Sequence, residues 1–178
     1  MFTQTTTSPS TGFKRHTNEL AADPFQARFG HFLPSGLKEE AHGMSWRTFT
    51  ETYAPTSAIR IHNMFAAPLP GHTFNYFTNI TTFRGGRRIT LGRDIQATGA
   101  ISACTNILAE MGFPLEIVNF HQMDIFEATV TFIQATHRGR TVWAMGFGPD
   151  RDNSGAAAMS SAAHRIHGHK INNSQRIR

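Results

Sequence analysis

The chain repeats one pattern: three strand-like runs followed by a helix of small residues, first over residues 58–112 and again over 113–168. Each copy has a basic glycine turn ahead of its third strand, Arg84-Gly85-Gly86-Arg87 and His137-Arg138-Gly139-Arg140. Each closes on a helix that a glycine is expected to stop, 101–111 before Gly112 and 155–167 before Gly168. Self-similar units bury one shared face between them. The sequence therefore predicts an α+β fold of two tandem βββα units, with sheets packed on helices. Such a tandem makes a pseudo-symmetric scaffold with a site where copies or subunits meet, which points to binding and assembly before catalysis.

A chain of 178 residues accommodates one such domain plus a tail. Hydrophobic residues make up 39%, 15 of them Phe, enough for a core and too many for wholesale disorder. The single cysteine, Cys104, excludes an intramolecular disulfide and fits a reducing compartment. No apolar run approaches the roughly 20 residues of a membrane span, and the Thr/Ser-rich start lacks the apolar stretch of a signal peptide. The expectation is a cytoplasmic protein that does not enter a membrane.

A formal charge of +5 invites a nucleic-acid reading. Yet the cations are spread between one hairpin (Arg84, Arg87, Arg88, Arg93) and the C-terminal end (Arg165, Lys170, Arg176, Arg178). No recognition-helix or stacking-platform pattern accompanies them. A solvated hairpin and a basic polar tail over 169–178 are preferred.

Residues 1–22 are polar and aperiodic and read as a disordered tail. Residues 23–55 read as an N-terminal arm with short helices. One lies near Leu37 and Ala41; the next is capped by Ser45, carries Trp46, Phe49 and Tyr53 on one side, and is stopped by Pro55. Such an arm must lie on something: this domain, a second subunit or a neighbour. In the first unit the strands are expected over 58–65, 72–83 and 87–96, with Thr98 capping the helix. Ile101, Cys104, Ile107, Leu108 and Met111 form its buried stripe, which makes Cys104 a small hydrophobe. In the second unit they are expected over 115–123, 126–136 and 141–147, joined by a short link at Asp124-Ile125. The last, apolar on both faces, reads as a covered central strand. Asp152 or Asn153 is expected to cap the final helix.

The search for chemistry is mostly negative. There is no nucleophile elbow, phosphate loop or dinucleotide fingerprint. His164, His167 and His169 have metal-like spacing but no carboxylate beside them, and solvent-exposed histidines are the preferred reading. No metal and no cofactor is expected. His121, between Phe120 and Gln122, reads as structural or ligand-lining. Asp124 and Glu127, three apart across a tight turn, are either a carboxylate pair or a solvated hairpin end.

The βββα–βββα order, the stretch Gly112-Phe113-Pro114-Leu115-Glu116-Ile117-Val118-Asn119-Phe120, and Val142-Trp143-Ala144-Met145-Gly146-Phe147-Gly148-Pro149 ahead of an Ala/Ser helix resemble one family. It is the C-terminal regulatory, or dimerisation, domain of 2-isopropylmalate synthase and its citramalate synthase relatives. The stretches at 33–40 and 46–55 resemble the connector and opening helix of that domain, so the likeness covers about 32–168.

The resemblance implies a homodimer that binds a pathway end-product, leucine or isoleucine, at the dimer interface. The matching ligand-binding positions are Ile101, Ser102, Ile117, Phe120, Asp124, Glu127, Thr129, Phe147 and Pro149. Helix N-termini suit a carboxylate, and apolar neighbours suit an aliphatic side chain. The chain departs from the family in four respects: the catalytic (β/α)₈ barrel is missing, Ala97-Thr98-Gly99-Ala100 keeps one glycine of the usual turn, the glycine-rich loop before Phe126 is shortened, and Asp124 and Glu127 stand where small residues are usual.

The expectation is a stand-alone regulatory and dimerisation domain with an amino-acid effector, not itself an enzyme, acting in trans on a catalytic subunit through the arm. Two other readings stand beside it. One is an enzyme or assembly module that has repurposed the pocket through Asp124, Glu127 and His121; the other is a basic nucleic-acid-associated protein.

Overall fold

The computed structural model describes residues 23–84 and 86–176, the last eight by their backbone alone. The readings of residues 1–22 as a disordered tail and of the side chains beyond Gly168 as a basic tail lie outside the described residues. Helices α1 (Pro24–Phe29), α2 (Ser35–Glu40) and α3 (Trp46–Tyr53) come first. Strands β1 (Arg60–Leu69), β2 (Thr73–Arg84) and β3 (Arg87–Ala97) then form one antiparallel sheet, followed by α4 (Ala100–Glu110). Strands β4 (Glu116–Ile125), β5 (Ala128–His137) and β6 (Arg140–Gly148) form a second, followed by α5 (Arg151–Arg176). The described residues are thus an α+β assembly of two three-stranded antiparallel sheets and five helices.

Local chemistry explains most boundaries. Asp23 caps α1 by accepting from the amides of Phe25 and Gln26 at 3.0 and 2.9 Å. Ser45 caps α3 by accepting from Thr48 N–H at 3.1 Å. Arg138 and Gly139 both have positive φ, 49° and 78°, the turn that matches the twist of a two-residue hairpin. After α4, Gly112 sits at φ 84° while Phe113 N–H reaches back to Leu108 C=O at 2.8 Å.

Several expectations are corrected. The hairpin between β4 and β5 turns at Phe126-Glu127, with Ile125 opposite Ala128. Ile125 is buried and so stays in the strand, whereas Phe126, 88% exposed at φ 48°, takes the turn. In the second sheet β5 is central and β6 is an edge; β6 is apolar on both faces because α5 covers one and the arm the other. Thr98 does not cap α4, whose N-cap is Gly99 with no side-chain bond. Asp150 caps α5 by accepting from Asn153 N–H at 2.7 Å. Gly168 does not stop α5, which continues to Arg176.

Two cores result. The larger lies between the sheets: Ile61, Tyr76 and Ile80 of the first and Ile133 and Ala144 of the second pack around Ala103, Cys104 and Leu108 of α4 and Met159 and Ala162 of α5. Cys104 is fully buried there, and burial pushes its thiol far above the ordinary range. The smaller core is where the arm lands. Phe25, Leu37, Phe49 and Tyr53 cover Val130, Phe132, Trp143 and Met145 on the outer face of the second sheet.

Helix α5 fastens the sheets together. The inward positions of β6 include Gly146 and Gly148, and a Cβ there would meet Ala158 N at 2.1 Å and Ser154 N at 2.3 Å. The helix backbone thus rests on the strand backbone. On its other side α5 holds the β1 edge. Where β1 bulges between His62 and Phe65, Met64 finds its partner in the Asn153 side chain, which accepts from Met64 N–H at 2.9 Å and donates to Met64 C=O at 3.1 Å. Ser160 Oγ accepts from Ile61 N–H at 2.9 Å.

Candidate functional site

The two long helices begin close together, and Phe120 and Gln122 of β4 border their starts. The result is a cleft of about 340 Å³ lined by residues 98–102 ahead of and within α4, by Phe120 and Gln122 of β4, and by Arg151 and Asp152 of α5. Alternation along β4 aims Phe120, Gln122 and Asp124 to the inner face, opposite Ile133, Thr131 and Thr129.

Each wall has its own chemistry. The first turn of α4 leaves the amides of Ala100, Ile101 and Ser102 without a helical acceptor, since the ladder begins with Ala103 donating to Gly99 C=O. No side chain caps them. This end therefore presents donors and the positive pole of the helix. Facing it, Asp152 takes no ion pair or hydrogen bond among the described residues. Burial, and then neighbouring Asp150, raise its carboxyl above the ordinary value. Phe120, 44% exposed, and half-buried Ile101 supply apolar surface.

The base of the cleft is fixed. Gln122 donates through Nε2 to Thr131 Oγ1 and Arg151 C=O, both at 2.8 Å, tying β4 to the start of α5. Arg151 donates to Asp124 Oδ2 at 3.2 Å, and Thr129 donates to Asp124 Oδ1 at 3.0 Å. Those two bonds hold the Asp124 carboxyl below its usual value.

Of the nine positions chosen from the sequence, Ile101, Ser102 and Phe120 line the cleft. Asp124 and buried Thr129 lie beyond it on the same face, spent on each other and on Arg151. Ile117 faces the larger core. The others do not join: Glu127 is exposed in the hairpin turn, Pro149 is exposed before α5, and Phe147 points outward, its ring 6.1 Å from Phe29. His121 faces outward too, opposite Phe132 and 6.2 Å from the Trp143 ring. Asp124, Glu127 and His121 therefore do not converge.

Gln122, Arg151 and Asp152 were missed. The only signal for the last two was the Gly148-Pro149-Asp150 turn, which places them in a first helical turn. The histidines near Gly168 also differ from expectation. His167 is 6% exposed and its Nε2 lies 2.8 Å from Pro114 C=O. Burial lowers the pKa of His164, whose Nδ1 has no partner among the described residues. Among the described residues no three His, Cys, Asp or Glu side chains are grouped to hold a metal, and no helix is long and apolar enough to cross a membrane. No protein-family model matches the chain, and no curated protein matches it.

Proposed function

We propose that the chain is a regulatory and dimerisation module that binds a small zwitterion, a branched-chain amino acid, in the cleft between the starts of α4 and α5. The observation that carries this is the pairing of opposite chemistries across one small space. Open amides of α4 suit an α-carboxylate, and the unpaired carboxylate of Asp152 suits an α-ammonium. Ile101 and Phe120 suit an aliphatic side chain. Leucine's carboxylate would be repelled by a bare Asp124, but Arg151 and Thr129 already engage that group.

Both βββα halves are read as one duplicated unit, as in the regulatory domains of 2-isopropylmalate and citramalate synthases, and the dimer as pairing through β4. Support for that surface comes from Val118, 53% exposed, and Phe120, on a strand that is a sheet edge. Control of a catalytic subunit in trans would require the effector to prefer one of two states.

The test is thermal unfolding against leucine, isoleucine, valine and their keto acids. A ligand that binds only the folded state raises the midpoint with concentration. The expected result is a saturable rise with one of the amino acids, a much smaller one with its keto acid, and loss of the rise in Phe120→Asp. No rise with any of the amino acids would overturn the metabolite reading, and a monomer at all concentrations in sedimentation would overturn the dimer.

A further inference from the structure

A second cavity, of about 400 Å³, lies at the corner where the segment after α3 crosses from the arm to β1. Its floor is α5 at Ala157 and Ser161; one wall is the outer face of the first sheet, and another is the end of β6. Register places its cations. Arg60 of β1 stands opposite Thr81, and Arg88 of β3 stands opposite Phe83. Thr81 and Phe83 are alternate residues of β2, so both guanidinium groups rise from the same face of the sheet. They start from strands on either side of β2, two residues apart in register and so about 12 Å from each other, a gap that two long side chains can close from both ends.

Among the described residues no aspartate or glutamate lines this cavity. Neither Arg60 nor Arg88 makes an ion pair or a hydrogen bond among the described residues. Elsewhere the protein does pair such groups, as Arg47 with Glu51 and Arg151 with Asp124. Between the two arginines lies a polar floor: buried Thr81 Oγ1 sits 2.9 Å from His62 Nε2 and 3.0 Å from Thr90 Oγ1. Phe83 and Met145 add apolar surface.

We infer that this corner is a second ligand site, for a small organic oxyanion with two negative charges, gripped by Arg60 and Arg88 over the Thr81 hydroxyl, with Phe83 and Met145 as apolar flanks. Guanidinium forks bind carboxylate and phosphate alike, in bidentate fashion. The shared chemistry is the oxyanion; phosphate and carboxylate sources are separated by the probes. This site is distinct from the zwitterion cleft, which has a carboxylate of its own and no arginine without a partner.

The experiment is thermal unfolding and calorimetric titration of the whole chain with orthophosphate, pyrophosphate, succinate and citrate at fixed ionic strength. Acetate is the monovalent control. A saturable response to a di- or trivalent anion is expected at millimolar concentrations or below. Pyrophosphate ahead of succinate identifies a phosphate ligand, and the reverse order a dicarboxylate. Arg60→Gln and Arg88→Gln, at exposed positions and therefore foldable, should each weaken binding by about tenfold or more, since each removes a charge-assisted bond. Ala157→Leu fills the floor and leaves both arginines, and it should also abolish the response. The inference fails if no anion gives a saturable response or if the arginine variants respond like the parent. It fails equally if Ala157→Leu still binds, because the anion then sits on surface charge and not in the cavity.

Discussion

Gly146 is the position where the closeness of α5 to β6 is most sharply tested. A methyl group there would sit 2.1 Å from Ala158 N and 2.6 Å from Ser154 O, both backbone atoms that cannot swing aside. Alanine is not strained by its own torsions at this position, since Gly146 is not among the positive-φ glycines. The cost is contact alone. To restore ordinary separation the helix must recede by roughly 1.4 Å. Recession stretches the bonds that run from α5 to the β1 edge, from Ser160 to Ile61 and from Asn153 to Met64. Overpacking costs about 1–3 kcal/mol, and weakened hydrogen bonds add about 1 kcal/mol each. Gly146→Ala should therefore destabilise by about 4–6 kcal/mol. Gly168→Ala, in the same helix with nothing among the described residues within 4 Å of the added methyl, should stabilise by about 0.5–1 kcal/mol. Gly155→Ala meets only Ile101 Cδ1 at 3.0 Å, the end of a flexible side chain, and should stay within about 1 kcal/mol of the parent. Urea unfolding followed by circular dichroism reads all three, provided the slope is unchanged. A Gly146→Ala protein as stable as the parent, or a Gly168→Ala protein as weak as Gly146→Ala, would refute the reasoning.

Asn153→Ala should cost about 2–3 kcal/mol, because it strands both backbone groups of Met64 at the bulge; the same urea titration measures it. Phe49→Ala, where the arm's Phe49 is fully buried against the second sheet, should cost about 3–5 kcal/mol and expose arm amides to hydrogen exchange before those of β5. The folded-state pKa of His164 lies below its ordinary 6.5 because of burial. Its contribution to stability is therefore complete above 6.5 and lost as pH falls through the lowered value, so His164→Leu should flatten thermal stability against pH in the acid range. Asp152 has the opposite sign, with a raised carboxyl that must ionise to hold an ammonium. Amino-acid affinity should fall as pH drops through that raised pKa, and Asp152→Asn should bind weakly at every pH; titration calorimetry at several pH values decides.

What the sequence by itself determined is local. Ser45 caps its helix, Gly112 follows α4 in the left-handed region, and Arg138-Gly139 turns its hairpin, each through bonds to residues a few positions away. The apolar stripe around Cys104 and the small-residue character of α5 were also legible, because periodicity records which face is covered. What covers it was not. The arm's aromatic residues fit the outer face of the second sheet only once Phe132, Trp143 and Met145 have been brought side by side by strand pairing. Phe126 reads as a strand residue by type, yet the burial of Ile125 passes the turn to it. Gly168 resembles a stop, but α5 runs through it to Arg176. The cleft was half legible: Ile101, Ser102 and Phe120 stand in the chain where they stand in the site. Arg151 and Asp152 enter it because Gly146 and Gly148 let α5 lie directly on β6, and Arg60 and Arg88 share one face because β2 pairs on both sides. Those are contacts between distant residues, fixed by close packing and strand register, which no local propensity encodes.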